Sequence, residues 1–287
     1  MNIKDVLKRP LCEIIDAIEA RLSRPRLRII KTLYVNFRCF PLRNAVKFPI
    51  LIYGRFNILR LGRIRIEAPR IYHGMIRFGQ FTNKTQCPTR IVNSGTIVFS
   101  GDCAVWGGVL LELGSGAELT IGEHSLLGEN VRFMLRRKCV IGKYARIAFD
   151  SQFMDSDFHY MLNIEDGTVK NCTSFIEIGA YNWIGNRTTV KKGTVTPDYT
   201  IVAAPNAMLS KDYTKICSPF PILAGCPAKQ IASGYRRVFN IQTERDLTES
   251  FKNDTGFITC DLSDNIDDFC NAIRSHDVDE GLMGFGE

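Results

Sequence analysis

The sequence lacks the features that mark several large classes of protein. It has no run of about 18 apolar residues, so no transmembrane helix is predicted. Its first residues include the charged Lys4, Asp5 and Lys8, and the long apolar stretch of a secretory signal is missing. The 10 cysteines form no CxxC pair, and none lies at zinc-ligand spacing from a histidine. These absences predict a cytoplasmic protein with reduced thiols and no structural metal, in which Cys103 and Cys139 are small core residues.

Acidic residues are scarce before the last part of the chain. Residues 244–287 hold 12 acids and three bases, a net charge of −9. The whole chain carries +7, so the residues before them carry +16. Such a basic body suits an anionic partner: a phosphorylated cofactor, a phosphate-linked sugar or a membrane surface. Solubility alone also accounts for the charge, and no nucleic-acid-binding signature accompanies it.

What the sequence does contain is a six-residue repeat. Apolar residues recur at steps of six, with a two-residue slip after Phe133 and a longer interruption after Phe153. Fifteen of the 17 positions in the series are apolar, well above the 45% of the whole chain. The positions are Ile91, Ile97, Cys103, Val109, Ser115, Ile121, Leu127, Phe133, Ile141, Ile147, Phe153, Ile178, Ile184, Val190, Thr196, Val202 and Met208.

A period of six fits neither an α-helix nor a strand in a hairpin meander. It fits a triangular prism in which each unit gives one short strand and one corner, three units complete a coil, and coils stack at roughly 4.8 Å. Glycine follows the apolar residue at several steps, as in Ile121-Gly122 and Ile141-Gly142, where a corner needs positive φ or close backbone approach. The sequence therefore predicts an all-β fold, a parallel β-helix.

The interruption after Phe153 contains the candidate catalytic group. A segment expelled from a regular stack can carry function without disturbing the core. It holds His159, whose imidazole suits removal of a proton from a hydroxyl near pH 7. Asp155 and Asp157 lie four and two residues earlier, and we expect one of them to orient the ring. The other histidines, His73, His124 and His276, are expected to have surface or structural roles.

Three ordered segments resemble a known family. Residues 176–193 (IEIGAYNWIGNRTTVKKG), 201–212 (IVAAPNAMLSKD) and 223–229 (LAGCPAK) resemble the last coils and closing motif of hexapeptide-repeat acyltransferases. The resemblance covers roughly residues 61–235 and is to the sugar O-acetyltransferase branch, similar to maltose and serine acetyltransferases and polysaccharide O-acetyltransferases. The stretch to Lys211 is one residue longer than the family pattern, and Thr196-Pro197 replaces the usual Ile-Gly.

This resemblance implies a left-handed coil and a homotrimer with acetyl-CoA in clefts between adjacent prisms. It also implies an enzyme of polysaccharide biosynthesis in which His159 is the general base. Trp183 is expected to pack at an edge. The remaining implied residues are Asn130 for the sugar acceptor and Asn186, Ala204, Ser210, Lys211 and Lys229 for CoA. No metal is required.

The predicted organisation has four parts. Residues 1–60 are an N-terminal helix and connector, and the helix, apolar along one face to about residue 24, either packs on protein or makes a weak membrane-surface contact. Residues 61–212 form the β-helix, and residues 213–240 are a closing segment on the CoA side. Residues 241–287 are an acidic tail with one short helix, capped by Ser263.

The sequence is compatible with other functions. The same base serves an N-acetyltransferase acting on an amino-sugar, and a non-catalytic β-helix scaffold is a further alternative. A zinc carbonic anhydrase on the same prism commonly has an H-x4-H pair. Here Glu129 and Ile164 stand five residues after His124 and His159, which disfavours that interpretation.

Overall fold

A computed structural model describes residues 25–81, 85–203, 205–252, 256–260 and 265–271 of the chain. Within these ranges 22 strands form three sheets of nine, seven and six strands. Consecutive strands along the chain lie in different sheets, and each pairs in parallel with the strand three places later through most of the stack. The chain therefore winds as a three-sided prism, which confirms the predicted parallel β-helix.

The sheets are called face 1, face 2 and face 3 here. Face 1 comprises β1 (Ile50–Ile52), β4 (Ile76–Phe78), β7 (Cys103–Val105), β10 (Ser125–Leu127), β13 (Arg146–Ile147), β16 (Trp183–Ile184), β19 (Ile201–Val202), β21 (Ile222–Ala224) and the antiparallel β22 (Lys229–Ala232). Face 2 comprises β2 (Phe56–Arg60), β5 (Thr89–Asn93), β8 (Leu110–Leu113), β11 (Arg132–Leu135), β14 (Gln152–Met154), β17 (Thr189–Lys191) and β20 (Met208–Leu209). Face 3 comprises β3 (Arg63–Ile66), β6 (Thr96–Phe99), β9 (Glu118–Ile121), β12 (Lys138–Ile141), β15 (Ile176–Ile178) and β18 (Val195–Thr196).

Apolar side chains stacked inside the prism form the core. Phe133 pairs in register with Phe153 of the next coil, and their rings stack with centroids 4.6 Å apart. Fifteen of the 17 predicted inward positions are buried. The two exceptions are Ser115, which lies in an exposed turn, and Met208. The six-residue series therefore identified the core ladder of the prism.

The register shifts by one position near the C-terminal end of the prism. Met208 is half-buried beside the fully buried Leu209. Val190 pairs with Leu209 on face 2, whereas Ile184 pairs with Val202 on face 1, so the step along the chain is one position longer on face 2. The extra residue brings Leu209 rather than Met208 into the core.

The corner glycines serve close approach of the backbone. A Cβ on Gly142 would lie 2.5 Å from the carbonyl carbon of Gly179 in the next coil. Positive φ falls two residues later, on His124 (57°), Tyr144 (56°) and Tyr181 (55°). The sequence pattern therefore located the corners, but positive φ at the corners marked by an apolar-Gly pair falls on a residue other than glycine.

Two helices, α1 (Ile29–Cys39) and α2 (Leu42–Ala45), precede the prism along the chain. Two more, α3 (Ile241–Ser250) and α4 (Ile266–Cys270), follow it, and a 3-10 turn lies at Tyr213–Lys215. The side-chain amide of Asn36 on α1 accepts from the Ile50 amide at 3.1 Å and donates to the Ile50 carbonyl at 2.7 Å. The helix thus satisfies backbone groups at the open edge of β1. Among the residues that the structure describes, no helix has both the length and the apolar character needed to cross a bilayer.

The observed boundaries differ from the predicted ones. The first coil begins at Ile50, before the predicted start at residue 61, and β21 continues face 1 beyond residue 212. The helix predicted near the N-terminus, over residues 1–24, lies outside the described residues. The short helix of the acidic tail is α4, capped by the Asn265 side chain, which accepts from the Asp267 amide; Ser263 lies outside the described ranges. The helix α3 was not predicted.

Cys103 and Cys139 are buried in the prism, as predicted. Burial raises the pKa of both thiols well above the usual range. They are therefore core residues, and neither is set up as a nucleophile.

Candidate active site

The expelled segment, residues 155–175, leaves the prism at the corner between faces 2 and 3 and is called the ribbon here. It is a two-stranded excursion, because Ser156 bridges Thr173 and Leu162 bridges Val169 in antiparallel fashion. The Asp157 amide donates to the Cys172 carbonyl at 2.8 Å. The coil that carries the ribbon is therefore much longer than its neighbours. The strands on either side of the ribbon, β14 and β15, still pair in register with the coils before and after.

Asp155 anchors the stem of the ribbon to the coil before it. Its two carboxylate oxygens accept from the backbone amides of Arg136 and Arg137, each at 2.7 Å, and the side chain is buried. Burial raises the pKa of Asp155 in spite of these bonds, which lower it. Because both oxygens are used by the backbone, the predicted role of Asp155 in orienting His159 is not what the structure shows.

Asp157 anchors the ribbon to the coil after it. Its carboxylate lies 2.6 Å from Lys192 Nζ and 3.5 Å from Lys191 Nζ. The hydrogen bond from Lys192 lowers the pKa of Asp157. The predicted bond from Asp157 to the His159 ring is likewise absent among the described residues, so the two aspartates hold the ribbon rather than the imidazole.

His159 is exposed on the ribbon and its ring makes no hydrogen bond within the described ranges. It lines a cavity of about 390 Å³ together with Asp157, Met161, Leu162, Asn163, Thr168, Lys170, Cys172 and Lys192. The imidazole is thus free to contact a ligand. Lys192 is paired with Asp157, so Lys170 gives the cavity its uncompensated positive charge among the described residues. Arg136 and Arg137 add positive charge at the same corner, one coil earlier.

The residues expected to hold CoA are spread over the C-terminal end of the prism. Asn186 is half-buried at the corner between faces 1 and 2, while Ser210 and Lys211 follow β20 on face 2. Lys229 is exposed at the start of β22 on face 1. Ala204 lies outside the described residues. The four described positions do not share one face of a single chain.

Asn130, expected near the acceptor, is part of the corner between faces 1 and 2. Its φ is 58°, its amide nitrogen donates to Asp150 at 3.2 Å, and its amide oxygen accepts from Thr85 at 2.7 Å. Both ends of the side chain are therefore engaged in holding successive coils together.

A histidine–carboxylate pair, His124 with Asp102, was not predicted from the sequence. His124 Nδ1 lies 2.8 and 2.9 Å from the two carboxylate oxygens of Asp102, and its ring packs on Tyr144 with centroids 4.7 Å apart. His124 and Asp102 meet because they occupy matching positions of successive coils, next to the paired Ser125 and Cys103. The pair stands at the corner between faces 3 and 1, away from the ribbon.

Comparison with known proteins shows likeness of structure only. No protein-family model matches the chain, and no curated protein matches it. The polySia-specific acetyltransferase NeuO is 15% identical, with 77% of this chain and 83% of that chain covered at a TM-score of 0.47. AntD, an N-acyltransferase from Bacillus cereus solved with dTDP and coenzyme A, is 15% identical, with 65% and 91% covered at 0.43. The polysialic acid O-acetyltransferase OatWY is 20% identical, with 70% and 84% covered at 0.34. All three are described as acyltransferases.

Proposed function

We propose that the protein transfers an acetyl group from acetyl-CoA to a hydroxyl of a sugar or polysaccharide precursor in the cytoplasm, with His159 as general base. One observation carries this proposal. An exposed imidazole with no hydrogen bond to any described residue lines a cavity beside Lys170 and Lys192, on a ribbon fixed to the coil on either side. Proton transfer in the transition state requires a base that is free to accept the proton and is held in a fixed position.

The proton moves through His159 in both directions. The neutral ring takes the proton of the acceptor hydroxyl while the oxygen attacks the thioester carbonyl. As the tetrahedral intermediate collapses, the imidazolium returns a proton to the thiolate of CoA, and the acetyl ester leaves with the sugar. Backbone amides are the expected donors to the oxyanion.

The positive charge at the ribbon corner fits acetyl-CoA as co-substrate. Lys170, Lys192 and the neighbouring arginines would attract its phosphates, and Asn186, Ser210, Lys211 and Lys229 are the residues that the family resemblance assigns to CoA. Because these four do not share a face of one chain, we propose that the groove forms between adjacent prisms of a homotrimer. The ribbon supports this, since Ile164 is 89% and Tyr160 72% exposed, which suits contact with a neighbouring copy.

Single-residue kinetics test the base. His159→Ala is expected to lower turnover by at least about 10² with stability unchanged. Acetyl transfer to a panel of sugars is followed by chromatography of the CoA released, because the free cysteines would consume a thiol reagent. His73→Ala, a matched change at an exposed histidine, should leave turnover near the wild-type value.

His124→Ala separates the two candidate bases, since His124 already has a carboxylate partner. The proposal fails if His159→Ala retains near wild-type turnover, and a loss on His124→Ala alone would move the base to the His124–Asp102 pair. Transfer to amino-sugars only would make the enzyme an N-acetyltransferase. Calorimetry that shows no CoA binding by the wild-type chain would leave the scaffold alternative.

A further inference from the structure

A second cavity lies on the outer surface of face 1, on the side of the prism opposite the ribbon corner. Its volume is about 210 Å³, below the roughly 300–1,000 Å³ of sites for drug-sized ligands, so it suits a ligand the size of one sugar ring. Its wall is formed by Trp106, Leu126, Gly128, Glu129, Arg146, Ile147, Ala148, Phe149, Trp183 and Arg237. No residue assigned to acyl transfer lines it.

Arg237 enters this cavity from the segment that follows the prism. Its guanidinium lies 5.0 Å from the ring of Trp183 and 5.0 Å from the ring of Phe239. It forms no hydrogen bond and no ion pair with any described residue, although the charge of Glu244 acts on it from α3. Burial lowers the pKa of Arg237, because the charged form lacks the solvation it has in water. A half-buried guanidinium fork is therefore left without an acceptor in the described part of the chain.

Arg146 lies in the same wall and is 8% exposed. Its Nη1 donates to the carbonyls of His124 at 2.6 Å and Ala145 at 3.3 Å, which leaves Nη2 and Nε without an acceptor among the residues described. Burial, and next the charge of Arg237, lower the pKa of Arg146 to about 9. Two guanidinium groups and the carboxylate of Glu129 thus line the wall, and the charge of Glu244 on α3 acts on both guanidinium groups.

The tryptophans add the remaining features. Trp106 Nε1 is buried without an acceptor within the described ranges. Trp183 is 40% exposed, so part of its ring is open to a ligand. Indole faces pack well against the C–H surfaces of sugar rings, while forked guanidinium groups bind carboxylates and phosphates through paired hydrogen bonds. The cavity therefore combines hydrogen-bond donors that have no acceptor among the described residues with apolar walls.

We propose that this cavity binds an acidic sugar, with Arg237 and Arg146 holding its carboxylate or phosphate and the tryptophan rings holding its apolar face. This binding does not depend on acyl transfer.

Calorimetry on the full chain tests the site with glucuronate, glucose 1-phosphate and glucose. Glucuronate or glucose 1-phosphate is expected to bind about tenfold to a hundredfold more tightly than neutral glucose, the effect of charge-assisted hydrogen bonds. Arg237→Gln should remove that preference. Arg132→Gln, the same loss of charge on an exposed arginine of face 2, should keep it. His159→Ala should also keep it, which separates this site from the proposed base.

Equal binding of glucose and both acidic sugars by the wild-type chain would overturn the proposal, whatever the variants do. Arg237→Lys covers the case in which Arg237→Gln unfolds, since it keeps the charge but loses the fork, and unchanged sugar binding would count against the paired contact. Inorganic phosphate or CoA that binds with sensitivity to Arg237→Gln, while the acidic sugars do not bind, would overturn the assignment to a sugar.

Discussion

Asp155 decides between two accounts of the ribbon, so its replacement is the sharpest test of the site. If the carboxylate anchors the stem, Asp155→Asn should lower stability and leave the chemistry of His159 intact. If it orients the imidazole, the same change should impair catalysis and leave stability intact.

The size of the effect follows from the two amide bonds. An Asn side chain keeps one oxygen for the Arg136 or Arg137 amide and turns an NH2 group toward the other, so one charge-assisted hydrogen bond is lost, worth about 1.5–3 kcal/mol. Removing the buried charge acts in the opposite direction, because burial raises the pKa of Asp155 on balance. The Asn NH2 group, however, leaves the second backbone N–H without an acceptor, which costs about 1–3 kcal/mol more. We expect a net loss of about 1–3 kcal/mol in the free energy of unfolding.

The pH dependence gives a second readout. An acid whose pKa is raised in the folded state stabilises the protein below its unfolded pKa of about 3.9, and that contribution is lost as pH rises through the folded pKa. The wild-type chain should therefore lose this contribution as pH rises above the unfolded pKa, and Asp155→Asn should not.

Urea unfolding measures both effects, and the slope m should stay constant if only stability changes. Asp150→Asn is the matched control: its carboxylate is 38% exposed at another corner, 3.9 Å from Arg187, and the change should cost less than about 1 kcal/mol. A fall in turnover of several orders of magnitude with unfolding unchanged would refute the anchoring account and restore Asp155 as the partner of His159.

The prism itself makes two further predictions. Phe133→Ala removes a ring stacked on Phe153 in the dry core and should cost about 3–5 kcal/mol in urea unfolding; a cost below about 1 kcal/mol would contradict the ladder. Gly142→Ala places a Cβ 2.5 Å from backbone atoms of the next coil and should lower the melting temperature far more than Gly116→Ala. Gly116 has φ of 75° but open space around its missing Cβ, so equal shifts in calorimetric scans would show that strain in φ and not close approach governs the corners.

The ribbon and its histidine could be located from sequence because a regular repeat makes any departure visible. The six-residue spacing places Phe153 and Ile178 inside the prism, and the residues between them do not fit the repeat. That segment must therefore leave the stack. The shift at Leu209 was not located in this way, because the six-residue series placed Met208 inward; only the departure from the family pattern before Lys211 pointed to an extra residue.

The partners of the polar side chains could not be predicted in this way. Asp155 and Asp157 are near His159 in sequence, but each bonds to a neighbouring coil, to Arg136 in one case and to Lys192 in the other. His124 and Asp102 meet from successive coils, at a separation along the chain that is set by the irregular coil lengths of this region.

The sequence by itself determined the prism, because apolar residues at a six-residue period are all buried when the chain winds as a three-sided coil. It also determined which segment leaves the stack. Only the tertiary structure decided which charges meet. Contacts between coils join residues that are a full coil apart along the chain. The segment carrying Arg237 returns to lie on Trp183, and no local sequence pattern predicts this return. The pair of guanidinium groups on face 1 is a product of that return, since each is an ordinary surface residue when considered along the chain alone.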